Sequence, residues 1–221
     1  MVKKHELMNA LGRSGVIVVL RTEKADDLVD VAKALHEGGV KFIEITMTVP
    51  GALEVIRDAA KQLEGLEVYI GAGTVMDAET ARAAILAGAS YIVGPAYDQA
   101  MVDLCRSYGV AVMPAGLTPN EIFQAWKGGA DAVKVFPAKS VGGAAYLKAV
   151  KEPLPQVELV PTNGVDFETA ADYIKAGALA VGVGGTVVDK KLLAARDFKA
   201  ITANARRMVE IVGAAKGGAG K

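Results

Sequence analysis

The feature that most constrains this chain is an alternation. Eight short apolar runs, at 16–21, 41–46, 67–71, 90–94, 110–114, 131–136, 157–161 and 179–183, are separated by stretches with helical spacing. Those stretches include 26–37, 52–63, 78–87, 98–108, 119–127, 144–151 and 167–175. The runs are strand length, and the stretches carry apolar residues three and four apart. Strands that alternate with helices pair in parallel, because a helical crossover returns the chain to the same end of the sheet. Four junctions repeat one signature: Glu37-Gly38-Gly39-Val40, Leu86-Ala87-Gly88-Ala89, Lys127-Gly128-Gly129-Ala130 and Lys175-Ala176-Gly177-Ala178. Each closes a helix on glycine and then opens a strand. The last glycines stand at 39, 88, 129 and 177, so copies recur every 41 to 49 residues, about two strand–helix units. Eight strands with a two-unit echo point to a single-domain (β/α)8 TIM barrel, with an extra N-terminal helix ahead of the first strand. A doubly wound open sheet is the competing architecture. No Gly/Ser linker divides the chain; the barrel is expected over 1–213 and a flexible tail over 214–221.

Composition removes several function classes. With 221 residues, 52% of them hydrophobic, the chain is long enough to bury a full core. Its 25 basic and 25 acidic residues cancel, which gives no reason to expect nucleic acid or an anionic membrane as partner. No apolar stretch reaches the length of about 20 residues that spans a bilayer. The N-terminus, Met1-Val2-Lys3-Lys4-His5-Glu6-Leu7, has charges but no following signal-peptide core. Cys105 is the single cysteine, so neither an intrachain disulfide nor a thiolate metal cluster is expected. A soluble cytoplasmic protein is the natural reading. Cys105 reads as a buried small hydrophobe, Trp126 as helix packing, and His5 and His36 as neither ligands nor catalysts.

In a barrel, function collects where the strands end. The strand ends here are crowded with polar residues and glycines. They supply Arg21; Glu44, Thr46 and Thr48; Gly71-Ala72-Gly73-Thr74; and Gly94-Pro95. They continue with Pro114-Ala115-Gly116-Leu117-Thr118, then Lys134 and Phe136, then Pro161-Thr162-Asn163-Gly164, and finally Gly182-Val183-Gly184-Gly185-Thr186. Lys134 stands out, because it interrupts the apolar run Asp131-Ala132-Val133-Lys134-Val135-Phe136-Pro137. Side chains alternate along a strand, so Ala132, Lys134 and Phe136 share a face and Val133 and Val135 the other. By the same rule Phe42, Glu44 and Thr46 share a face, with Ile43 and Ile45 opposite. The apolar pairs face the covering helices, and Glu44 and Lys134 therefore point into the barrel. An interior amine and an interior carboxylate are what Schiff-base chemistry on a ketone needs. The competing reading is an inert buried ion pair.

The glycines after the last two strands make a second feature. Asn163-Gly164 and Gly184-Gly185-Thr186 let the backbone approach an anion, and Thr186 adds a hydroxyl. The plainer alternative is that these glycines only turn the chain. Gly71-Ala72-Gly73 is no dinucleotide fingerprint, since the third glycine and the distant acidic partner are missing. Asp and Glu do not cluster at metal-ligand spacing, and an imine already serves as electron sink, so no metal or cofactor is expected.

At these residues the chain resembles the 2-keto-3-deoxy-6-phosphogluconate (KDPG) aldolase and 4-hydroxy-2-oxoglutarate (KHG) aldolase family. The likeness runs from about Val16 to Val188. It is carried by Glu44-Ile45-Thr46, Gly71-Ala72-Gly73-Thr74-Val75, Val133-Lys134-Val135-Phe136-Pro137-Ala138, Pro161-Thr162 and Gly184-Gly185-Thr186. The resemblance implies a metal-free class I aldolase on a (β/α)8 barrel, usually a homotrimer. It implies reversible cleavage of KDPG, a small 2-keto acid phosphate, to pyruvate and glyceraldehyde 3-phosphate. It implies Lys134 as the Schiff-base lysine and Glu44 as the general acid and base. Thr74 corresponds to a threonine that holds the pyruvate carboxylate, Pro95, Phe136 and Thr162 to residues lining the site, and Arg21 to an arginine facing the anionic substrate. Two positions depart from the pattern. Thr48 stands where many members carry an arginine, and Asn163 stands where the phosphate loop often has glycine. The alternatives are KHG or the galactonate epimer as substrate, or a barrel kept or engineered as an assembly scaffold.

Overall fold

The computed structural model describes residues 3–218. Six strands form one parallel sheet: β1 (Val16–Leu20), β2 (Phe42–Thr46), β3 (Tyr69–Gly73), β4 (Tyr91–Val93), β5 (Ala111–Met113) and β9 (Val181–Val183). Their order is β5-β4-β3-β2-β1-β9. A second parallel sheet holds β6 (Ala115–Gly116), β7 (Val133–Val135) and β8 (Leu159–Pro161). The molecule is thus an α/β fold on curled parallel sheets, and the single continuous ladder expected from sequence is split in two. Pro114 explains the split between β5 and β6, because proline has no N–H to donate to a ladder. Its carbonyl still accepts from Lys134 N–H at 2.9 Å. At the far side, a parallel bridge between Thr162 and Gly182 links the end of β8 to β9.

Helices follow the strands: α2 (Leu28–Glu37), α3 (Ala52–Gln62), α4 (Ala78–Ala87), α5 (Gln99–Tyr108), α6 (Pro119–Lys127), α7 (Gly143–Lys151) and α8 (Ala170–Lys175). Their starts have local causes. Asp77 and Asp98 accept from Thr80 and Met101 N–H, each at 2.6 Å, and so cap α4 and α5. At α6, Thr118 and Glu121 form a reciprocal capping box, with Pro119 in the first turn. α2 begins two residues later than its spacing predicts, because Asp27 takes a left-handed conformation (φ 67°). α8 begins three later, because Asp166 accepts from the N–H and hydroxyl of Thr169 and holds a turn there. β3 starts at Tyr69 rather than at 67; Glu67 instead pairs with Lys41 at 2.6 Å. A shift of two residues leaves every β3 side chain on its expected face.

The core divides as the alternation predicts. Ile43, Ile45, Val133 and Val135 pack outward with the helices. Phe42, Ala132, Tyr91, Ala111 and Ala180 pack inward with Leu7, Ala10 and Leu11 of α1 (Lys4–Ser14). Most of these inward residues open their strands, so α1 seals the end opposite the strand C-termini. Cys105 is fully buried, and burial with nearby Asp131 pushes its thiol up to about 12. No helix among the described residues is long and apolar enough to cross a membrane.

The C-terminal region differs most from expectation. Two helices, α9 (Lys190–Ala195) and α10 (Phe198–Gly218), follow β9. The tail expected over 214–221 is helical through Gly218, and residues 219–221 lie outside the described residues. Ile201, Ala205, Met208, Val212 and Ala215 are buried, three or four apart, where α10 packs on α2 and α8. Lys216 Nζ donates to Gly12 and Leu179 carbonyls at 2.8 and 2.9 Å. Alanine and glycine hide this stripe in the sequence, because they read as a weak apolar pattern.

Candidate active site

Lys134 lies at the centre of β7 and is 4% exposed. Glu44 lies at the centre of β2 and is 2% exposed. Both point inward, as alternation requires. They form no ion pair within 4 Å, and Glu44 Oε1 has no hydrogen-bond partner among the described residues. This departs from an inert, mutually satisfied buried pair. Lys134 Nζ sits 5.4 Å from the centre of the Phe136 ring.

Glu44 owes its place to what β3 lacks. Glu44 is level with Gly71 in the ladder, and Thr46 with Gly73. A Cβ at Gly73 would run into the Glu44 carboxylate, and one at Gly71 into the Tyr91 ring. The Gly71-Ala72-Gly73 motif is therefore a bed for neighbouring side chains, with Ala72 facing the helices. Burial pushes the Glu44 carboxyl above its ordinary range, while the charges of Lys134 and Arg21 pull it back only in part. A carboxyl in that condition exchanges protons nearer neutrality than a solvated one.

Arg21 and Thr74 meet: Arg21 Nη2 donates to Thr74 Oγ1 at 3.1 Å. Thr74 adopts φ 56°. A β-branched residue there is an outlier that costs on the order of 1–2 kcal/mol, and such strain collects at functional sites. Thr46 is buried and donates to the Leu20 carbonyl at 3.2 Å, and its hydroxyl lies 2.9 Å from that of exposed Thr48.

A cavity of about 470 Å³ opens beside Lys134. It is lined by Arg21, Lys134, Phe136, Thr162, Asn163, Gly164, Gly184, Gly185 and Thr186, nine of the residues expected from sequence. Glu44 and Thr74 are not among its lining residues; Glu44 packs beside Gly73, and Thr74 is bonded to Arg21, which does line it. Pro95 is in a second cavity of about 550 Å³, which shares Phe136 with the first. Along the first cavity, the backbone N–H groups of Gly164, Val165, Gly185 and Thr186 have no partner among the described residues. Four such donors on facing loops can hold an anion. The Thr186 hydroxyl, expected as a further donor, instead gives its proton to the Val165 carbonyl at 3.1 Å. Asn163 takes φ 77°, a left-handed conformation that asparagine tolerates better than most residues. It thus keeps a backbone path that glycine would also follow.

Several lining residues were not legible in sequence. Thr22, Val165, Asp166 and Lys190 also face the first cavity. Burial opposes ionisation of Asp166, but hydrogen bonds from Thr169 and the Glu168 N–H, with the Lys139 charge, hold its carboxyl below the usual range. Thr22, Val165 and Asp166 stand in loops without periodicity and Lys190 opens the short helix α9, so no pattern marks them. Tyr91 was also missed, although glycines two apart on an inward face are a signal that a large neighbour fills the space.

Residues 7–204 match the family described as "Aldolase: KDPG and KHG aldolase". A 2-dehydro-3-deoxy-phosphogluconate aldolase from Treponema pallidum is 35% identical over 207 residues, covering 94% of this chain and 98% of that protein. A KHG/KDPG aldolase from Escherichia coli is 30% identical over 195 residues, covering 88% of this chain and 91% of that protein. The crystal structure of a 2-keto-3-deoxy-6-phosphogluconate aldolase from Zymomonas mobilis superposes with a TM-score of 0.82 at 29% identity, over 92% of this chain and 97% of that one. A buried inward lysine at the centre of β7, and a buried inward carboxyl at the centre of β2 beside the glycines of β3, thus occur in a chain that belongs to the KDPG and KHG aldolase family.

Proposed function

We propose that this chain is a class I aldolase that reversibly cleaves KDPG to pyruvate and glyceraldehyde 3-phosphate. The observation that carries the reading is Lys134: an amine 4% exposed, beside Phe136, in a cavity that is also lined by residues with unpartnered backbone N–H groups. Neutral Lys134 Nζ adds to the C2 ketone, and loss of water leaves a protonated imine. Glu44 takes the proton of the C4 hydroxyl as the C3–C4 bond breaks. The bond's electrons pass into the imine and leave an enamine, while the aldehyde departs. Glu44 returns the proton to C3, and water releases pyruvate and frees the amine. Arg21 and Thr74 orient the carboxylate, which also compensates for Thr48 where an arginine is common. Phe136, Thr162 and Pro95 shape the site. The phosphate rests on Asn163, Gly164, Gly184, Gly185 and Thr186, with the backbone N–H of Thr186 as its donor.

The same reading takes the two sheets as one closed (β/α)8 barrel, supported by the Thr162–Gly182 bridge and the Lys134 N–H bond to Pro114. It takes the enzyme to be a cytoplasmic homotrimer that needs no metal or cofactor, in line with its family resemblance. Borohydride reduction in the presence of pyruvate tests it. Wild type should be labelled on the peptide containing Lys134, and Lys134→Ala should take no label. Labelling of another lysine in the wild type would refute the assignment. Turnover of KDPG against KHG then separates the phosphorylated from the unphosphorylated substrate, since the Escherichia coli relative is named for both.

A further inference from the structure

Among the described residues, two buried side-chain polar atoms lack a hydrogen-bond partner: Glu44 Oε1 and the Tyr91 hydroxyl. Their residues belong to one row. Glu44 on β2 is level with Gly71 on β3, and Gly71 is level with Tyr91 on β4. Gly71 contributes no side chain, so the Tyr91 ring lies over it. Tyr91 is fully buried, and its ring packs 5.8 Å from that of Phe42. A phenylalanine would fill that space equally well without burying a hydroxyl, so the ring's packing does not explain the oxygen.

We propose that Tyr91 is a positioning residue whose hydroxyl holds the Glu44 carboxyl in place through one enclosed water. The inference rests on the aldolase reading for its catalytic meaning, but the link itself rests on the row. A tyrosine hydroxyl donates and the water passes the bond to Glu44 Oε1, which satisfies both orphaned atoms. Tyr91 senses Glu44: after burial, the Glu44 charge is the next influence that raises the Tyr91 hydroxyl's pKa. The other charged groups facing Glu44 are Lys134 from β7 and Arg21 at the end of β1. Those two cations favour the carboxylate but give it no hydrogen bond in the structure. Tyr91 supplies the missing direction, fixing the carboxyl for proton transfer rather than setting its charge alone.

Tyr91→Phe is the test, because it keeps the ring and removes one oxygen. A hydrogen bond donated to the carboxylate favours the charged form, so its loss should raise the acid limb of the kcat/KM profile by about half to one pH unit. kcat should fall about tenfold with KM little changed. The carboxyl infrared band of Glu44, identified by its disappearance in Glu44→Gln, should titrate at correspondingly higher pH in Tyr91→Phe. A purely structural tyrosine would lower thermal stability and move neither the limb nor the band. An unmoved band overturns the inference, whatever the limb does. A wild type that releases no pyruvate while the band still moves would sink the aldolase reading and leave the Tyr91–Glu44 link standing.

Discussion

Gly73→Ala is the sharpest probe of how the site is built. The added Cβ would lie 2.6 Å from Glu44 Cγ, and closer still to its Cδ and Oε1. Non-bonded carbons rest at about 3.5–4.0 Å, so the whole Glu44 side chain must move rather than its tip alone. Glu44 is 2% exposed and its strand is paired on both sides, which leaves it no easy way out. Forcing a methyl into such packing costs about 1–3 kcal/mol. For a chain of this size that lowers Tm by roughly 2–12 °C. The functional loss should be larger, since displacing a catalytic group by about 1 Å costs about a hundredfold in rate. Thermal unfolding reads the first quantity, and coupled assay of the pyruvate released reads the second. Gly213→Ala is the contrast: it lies exposed within α10 with nothing within 4 Å of the new Cβ. That change should raise stability by about 0.5–1 kcal/mol through helix propensity alone. A Gly73→Ala protein that melts with the wild type and keeps its kcat would refute the close-approach argument.

Glu44→Gln should change stability in a pH-dependent way. Burial raises the folded-state pKa of Glu44 above its ordinary value of 4.5, so the folded state binds the proton more tightly than the unfolded state does. The carboxyl's favourable contribution is full below pH 4.5 and is lost as pH rises through the raised folded value. Glutamine never ionises, so the variant should match wild type in acid and melt above it at alkaline pH, while losing activity throughout; a Tm difference independent of pH would contradict this. Leu11→Ala empties the centre of the α1 plug, where Leu11 is fully buried, and should cost about 2–5 kcal/mol by urea unfolding. A loss below about 1 kcal/mol would mean that α1 does not seal the interior.

Much of this protein is written locally. Apolar runs of strand length, amphipathic stretches and glycine stops foretold the parallel α/β plan, because period and chain reversal are properties of neighbouring residues. Alternation alone placed Glu44 and Lys134 on inward faces, since a strand with two buried apolar neighbours leaves the residue between them no other side. Other features depend on segments far apart in sequence. Proline at 114 was visible, but the division of the ladder there depends on which strands lie beside it. α10 was missed because its stripe of alanine, valine and methionine becomes a core only against α2 and α8. The set of N–H groups without partners among the described residues arises from two loops some 20 residues apart, and sequence could name the glycines but not which donors remain unpaired.

By itself the sequence determined the alternation of strands and helices as far as β9 and the chemistry carried on the inward strand faces. Tertiary structure decided the distances. It keeps Glu44 and Lys134 out of ion-pair contact, clears room for Glu44 with Gly73, and brings Tyr91 into the same row. The reason is physical: side-chain direction follows from backbone period within one strand, whereas spacing and hydrogen-bond partners depend on how separate strands meet.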